Sequence, residues 1–287
     1  MKRIILLGAS GLLGYAIKKV FNCIHNIDLI PITRKEIDFL KVYRRKDLSL
    51  LLPKFDLIVN AMAFTNTQLC EKHVFKSEHL NGSCLKELSL LANDNKAKLI
   101  HISTDYVFDG AKKGLYLESD KTTPRSQYGK SKLLGETYIK EISNNFVIIR
   151  SSSLYGPSTN KQSFIDKVME KAVIDRNVRV VSDQYMSPTF TIELAKFIKT
   201  LCFIKDLSND IFHFSDKGYC SWYDLTKHLI DITRLNINLI PCKLKDYQST
   251  FERPKNTSLS TEKAESIYKI ETWKTNINTY FQKFINH

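Results

Sequence analysis

The sequence predicts an α/β fold, a doubly wound parallel sheet with a smaller interleaved α/β part, on three observations. Short runs that are apolar on both faces alternate with stretches of helical periodicity through the first half of the chain. Glycines crowd residues 8–14, directly after the first such run. The alternation loosens after Tyr155-Gly156-Pro157. Strands covered on both faces and separated by helices imply a parallel sheet with right-handed crossovers. Ligands of such sheets bind beyond the carboxyl ends of the strands, so the residues that follow each strand carry the chemistry.

Taken in order, residues 4–7, 29–33, 57–60, 99–103 and 146–150 are predicted strands, and 12–21, 80–92 and 128–142 predicted helices. A helix over 164–174, a strand over 178–181, a helix over 192–204 and a short strand over 211–214 are expected next. Another helix begins near Ser221, and one amphipathic segment, 277–285, closes the chain. No internal repeat or low-complexity linker interrupts this order.

Composition excludes several classes. Hydrophobic content of 43% and aromatic content of 11% exclude general disorder. No run reaches the ~18 to 20 apolar residues that cross a bilayer, and Met-Lys-Arg followed by residues 4–7 is too short for a signal sequence, so a cytoplasmic protein without a membrane partner is expected. Six cysteines (Cys23, Cys70, Cys84, Cys202, Cys220, Cys242) lack CxxC or His-linked spacing and are read as reduced structural thiols, with no metal. The formal charge of +13 is spread along the chain, Arg44-Arg45-Lys46 being the densest run. No basic stripe interleaved with aromatics suggests a nucleic-acid groove, so the charge is read as solvated surface that also steers an anionic substrate.

The segment Gly8-Ala9-Ser10-Gly11-Leu12-Leu13-Gly14 stands between a strand and a helix. Glycines there permit a tight turn and bring backbone amides up to a pyrophosphate, so Gly8, Ser10, Gly11, Leu12, Leu13 and Gly14 are candidate dinucleotide contacts. The spacing is GxxGxxG, and a plain strand-to-helix turn is the competing reading. The second strand ends in Thr33-Arg34 with no acidic residue to take ribose hydroxyls. Arg34 can instead pair with a 2′-phosphate, which favours NADPH over NADH, although an ordinary surface arginine reads nearly as well. Asn60, Ala61 and Ala63 follow the third strand, where small residues let adenosine lie close to the backbone.

Tyr128 and Lys132 sit four apart in Tyr-Gly-Lys-Ser-Lys and share one helix face. A free phenol has a pKa of about 10, and a nearby cation favours the phenolate, so the pair suits a general acid. At another strand end stands His101-Ile-Ser103-Thr104-Asp105-Tyr106-Val-Phe-Asp-Gly110. These segments together resemble the extended short-chain dehydrogenase/reductase superfamily, and within it the dTDP-4-dehydrorhamnose reductases. The similarity runs nearly end to end, through residues 124–136 (PRSQYGKSKLLGE), Asp183-Gln184, Pro188-Thr189, 218–224 (GYCSWYD) and Arg253-Pro254.

The resemblance implies a Rossmann-type dinucleotide-binding part over 1–155, rejoined by segments near 178–205, and a mainly substrate-binding part over 156–287. It implies NADPH-dependent reduction of the C4 ketone of a nucleotide-linked 6-deoxy sugar. Tyr128 would protonate the developing alkoxide, Lys132 would hold the nicotinamide ribose and lower the tyrosine pKa, and Thr104 would bond the sugar oxygen; Ser103 would border the cofactor. Asp105, Tyr106, Gln184 and Arg253 are the candidate sugar-nucleotide contacts, with Asp105 equally readable as a structural acceptor. Related dehydratases resemble Thr-Asp-Glu where this chain has Thr104-Asp105-Tyr106, which favours reduction over elimination.

Departures from the family pattern cluster on the sugar side: Leu154 replaces a tryptophan, Ser163 an asparagine, Met186 a glycine and Gln68 an acidic residue. Ala16 replaces a glutamate described with magnesium at a dimer interface in some relatives, so no metal is expected, and a homodimer stays open. Competing readings are a non-catalytic relative, like the regulatory subunit of methionine adenosyltransferase, and an epimerase or dehydratase.

Overall fold

The computed structural model describes residues 1–22, 24–158, 163–204, 206–246 and 251–284. Strands β1 (Lys2–Leu7), β2 (Ile27–Ile32), β3 (Leu57–Asn60), β4 (Lys98–Thr104) and β5 (Phe146–Ser151) are joined by a sixth, Asp210–His213. They form one parallel sheet in the order Asp210–His213, β5, β4, β3, β1, β2. The chain runs from β1 outward to β2 and then back across to β3, so the strand order reverses beside β1. That reversal opens the crevice in which ligands of such sheets bind.

The period-2 alternation of each strand divides the core in two. Ile4, Leu6, Val59, Ile100 and Ile149 pack with helices Leu12–Phe21 and Thr191–Phe203 on one face. Ile5, Leu7, Ile58, Leu99 and Ile148 pack with Cys84–Asp94 on the other. A third core, built on Tyr155, Met186, Phe190, Leu225, Trp273, Ile277 and Tyr280, belongs to the later half. There Asn177–Val181 pairs in parallel with Asn238–Cys242 as a separate ribbon, while Thr191–Phe203 and Asp210–His213 rejoin the main sheet.

Where the sequence predicts one helix over 80–92, the chain forms a π-helical turn, His79–Ser83, and then Cys84–Asp94. The widened turn aims Asn81 at the Phe64 backbone, accepting from its N–H at 2.7 Å, and at Ser131 Oγ at 2.9 Å. Hydrophobic periodicity does not register such a one-residue excess. Ser126, Ser163 and Ser221 cap the helices Gln127–Ile142, Phe164–Ile174 and Trp222–Thr233, the last two as full capping boxes with Asp166 and Asp224. Among the described residues, Cys70, Cys84, Cys202, Cys220 and Cys242 are free and buried; Cys23 and the end of the 277–285 segment lie outside them. No described helix is long and apolar enough to cross a membrane.

Candidate active site

The glycine loop closes tightly on β1. Gly8 takes a positive φ of 79°, and a Cβ on Gly14 would lie 2.3 Å from the Gly8 carbonyl oxygen, so the helix can start this close to the strand only with glycine there. Gly11 caps that helix with no side-chain bond, which leaves its first backbone amides open. Gly8, Ser10, Gly11, Arg34, Ala61 and Ala63 border one cavity of about 360 Å3. Asp38 lies in it too, 3.7 Å from Arg34 Nε, so an acidic group is present beside the arginine although none ends the strand.

A second cavity, about 400 Å3, joins Gly11, Leu12, Leu13, Ala61 and Ala63 to Ser103, Thr104, Asp105, Tyr106, Tyr128 and Lys132. Its far wall carries Leu154, Ser163, Met186, Gln184, Trp222 and Thr257. Two expected cofactor residues are not on these walls. Gly14 lies beneath the loop, and Asn60 turns its amide inward to His101 Nδ1 at 3.0 Å. Ser103 borders the cleft, but its hydroxyl donates to Glu136 Oε1 at 2.5 Å, so the backbone is what it can offer a ligand.

Tyr128 is the second residue of its helix, where the helix dipole favours negative charge. Gly129 permits this placement: a Cβ there would lie 2.2 Å from the Tyr106 carbonyl oxygen, so the helix presses against the Asp105–Val107 turn. Tyr106 stands edge-on to Tyr128, centroids 5.9 Å apart, and Thr104 hydrogen-bonds the Tyr128 hydroxyl. Burial, with Asp105 adding to it, raises the Tyr128 pKa above its ordinary value despite its hydrogen bond with Thr104. The expected lowering by Lys132 is therefore overturned in the side-chain geometry. The Lys132 amine lies instead 3.1 Å from His101 Nε2 and donates to the Ile102 carbonyl at 2.6 Å. Burial pulls Lys132 down to about 8, against the opposing charges of Glu136 and Cys84.

Asp105 accepts from Ser152 Oγ at 2.6 Å and from Thr104 Oγ1 at 3.0 Å, and Thr257 bonds it as well. Three hydroxyls thus hold the carboxyl at the cleft wall, the structural role that competed with substrate contact; burial raises its pKa. Gln184 links two distant segments, donating to the Pro254 carbonyl at 2.9 Å and accepting from Trp222 Nε1 at 3.1 Å. Trp222 also packs on Phe164, centroids 4.2 Å apart. The indole missing at Leu154 is thus matched by another on the same cleft, supplied by the SWYD segment, which the sequence marks as a helix start and as part of the family resemblance but not as a site. Gln68 is exposed on Thr67–Lys72 and is not among the lining residues.

Arg253 borders a third cavity, about 680 Å3, together with Lys112, Lys113, Arg125, Lys255, Tyr185 and Tyr219. Its buried Nε has no hydrogen-bond partner among the described residues. Asp109, Asp183 and Glu252 line it too, with Glu252 paired to Arg125 at 2.6 Å, and it contains neither Tyr128 nor Lys132.

Comparison with known proteins accords with this geometry. The family described as the RmlD substrate binding domain matches residues 1–286. The spore coat polysaccharide biosynthesis protein SpsK of Bacillus subtilis is 31% identical over 99% of this chain and 98% of its own length. A crystal structure of a dTDP-4-dehydrorhamnose reductase from Clostridium acetobutylicum superposes with a TM-score of 0.91 at 29% identity, covering 98% of each chain. One from Bacillus anthracis in complex with NADP gives 0.89 at 26% identity, over 99% of this chain and 100% of that one.

Proposed function

This chain belongs to the RmlD substrate binding domain family, and from that premise we propose that it is a sugar-nucleotide 4-ketoreductase that uses NADPH to reduce the C4 ketone of a nucleotide-linked 4-keto-6-deoxy sugar. The observation that carries the reading is the single cleft shared by the loop residues Gly11 to Leu13 and by Thr104, Tyr128 and Lys132.

The residues present fit the dinucleotide. Glycines at 8 and 14 let the loop close tightly between strand and helix, and the uncapped helix start offers free N–H groups to a pyrophosphate. Gly8, Ser10, Gly11, Leu12 and Leu13 would hold that pyrophosphate, Ala61 and Ala63 the adenosine, and Arg34 a 2′-phosphate. When bound, NADPH supplies the hydride. Tyr128 delivers the proton to the oxygen on which charge develops, and Thr104, already bonded to that hydroxyl, aims it. Lys132, on the same cleft, would hold the nicotinamide ribose, and Tyr106 helps exclude water from the tyrosine ring. Simple reduction accords with Tyr106 standing where elimination would need a second carboxyl.

The nucleotide diphosphate would lie in the third cavity, beside Arg253, Lys113 and Lys255, with Tyr185 and Tyr219 near the base. The sugar then crosses from there, past Gln184 and Trp222, to Tyr128. Residues 1–155 with the returning helix and sixth strand serve the cofactor, and 156–287 mainly the sugar. The test is a panel of 4-keto-6-deoxy sugar nucleotides assayed for loss of NADPH or NADH absorbance. Oxidation with at least one sugar is expected; product without net cofactor loss would make the protein an epimerase or dehydratase, and no turnover across the panel would favour a non-catalytic binder.

A further inference from the structure

Beneath the cleft, Asn60, His101 and Lys132 form an unbroken chain of buried polar groups, each 1% exposed or less. Asn60 and His101 are partners in the register of β3 on β4. The direction of every bond in the chain follows from one unambiguous donor. The Met62 backbone N–H lies 3.1 Å from one arm of the Asn60 side chain, so that arm is the carbonyl oxygen. The other arm, 3.0 Å from His101 Nδ1, is therefore the NH2 group, and Nδ1 must accept. A neutral imidazole that accepts at Nδ1 carries its proton on Nε2. Nε2 stands 3.1 Å from Lys132 Nζ, and an N–H aimed at that nitrogen needs its lone pair. Nζ keeps a hydrogen to donate to the Ile102 carbonyl. Every group is satisfied with Lys132 as a neutral amine; an ammonium would set two donors head to head.

We propose that Asn60 selects the Nε2–H tautomer of His101 and that His101, donating to Nζ, favours the uncharged amine of Lys132 over its ammonium in the free protein, which makes His101 a positioning residue for the lysine. The surrounding charges are consistent. Glu136, on the lysine's own helix, favours the ammonium, but its carboxylate is engaged by Arg150 and Ser103. Cys84, facing from Cys84–Asp94, is pushed up to about 12 by burial and stays a thiol. Burial drives His101 well below its ordinary pKa, so it does not compete as a cation. Burial, the largest cause, keeps the proton on Tyr128.

The catalytic meaning rests on the reductase reading; the proton arrangement does not, and both readouts below need neither cofactor nor substrate. In the full-length protein labelled with 15N-histidine, long-range proton–nitrogen spectra should give His101 a protonated Nε2 and a bare Nδ1. A protonated Nδ1, or an imidazolium, would overturn the proposal. The second measurement follows the Lys132 side-chain carbon shift with pH. Asn60→Asp puts a carboxylate on Nδ1, which must then donate, so Nε2 becomes an acceptor for an ammonium. The Lys132 midpoint should rise by about one pH unit or more. No rise sinks the proposal, as does a rise that survives in N60D/H101F, where direct charge would be the cause. Should Asn60→Asp not fold, the wild-type tautomer alone decides.

Discussion

Arg150 and Glu136 meet as a two-pronged pair in the core behind Tyr128, with Nη2 2.7 Å from Oε2 and Nε 3.0 Å from Oε1. Their side chains are 3% and 0% exposed, and Ser103 donates into the same carboxylate. The pair ties β5 to the helix that carries Tyr128 and Lys132, so the tyrosine's position depends on a charge that water cannot reach. Arg150 also lies 5.2 Å from the Phe108 ring centroid, within the segment that carries Thr104.

Removing one partner leaves the other charge buried and alone, which costs more than the pair itself contributes. Glu136→Gln is expected to lower stability by about 3–5 kcal/mol. Urea denaturation measures it, and a midpoint equal to that of the wild type would contradict the account.

Tyr128→Phe keeps the ring against Tyr106 and removes only the proton donor. The turnover number with a 4-keto sugar nucleotide should fall by about 10^2–10^4, with the thermal midpoint little changed. Retention of wild-type rate would remove Tyr128 from the proton-delivery role.

Arg34 is exposed, and its contact to Asp38 at 3.7 Å is too loose and wet to matter for stability. Arg34→Ala should raise the NADPH KM about tenfold, since a charge-assisted bond to phosphate is lost, and leave the NADH KM alone. Equal effects on both cofactors would assign the arginine no part in recognising the 2′-phosphate.

Asp216 binds the two halves of the later core: it accepts from Tyr155 Oη at 2.6 Å, Asn276 Nδ2 at 2.8 Å and the Phe190 N–H at 3.2 Å. Burial pushes its carboxyl up from 3.8 to about 7 despite these bonds. A carboxyl whose folded pKa is raised favours the fold while protonated. That contribution is whole below about pH 4 and is lost as pH rises to and through about 7. Asp216→Asn cannot ionise, so the stability of the wild type relative to this variant should decline between pH 4 and 8. Parallel urea titrations at pH 5 and 8 read the difference; a constant gap would mean that Asp216 does not titrate in this window.

The order of strands and helices, the glycine loop and the shared face of Tyr128 and Lys132 were legible in the sequence by itself. Each rests on a period of 2 or 3.6 or on a turn that only glycine makes, and such patterns are local. The tertiary structure alone decided where the polar atoms point. Asn60 turns to His101 because β3 and β4 lie in register, and Ser103 to Glu136 because β4 passes behind the helix. Lys132 meets His101 and the Ile102 carbonyl, while Trp222 reaches the cleft through Gln184 from a segment remote in sequence. A hydrogen bond is set by the position of a partner that has no fixed separation along the chain, so no spacing in the sequence encodes it.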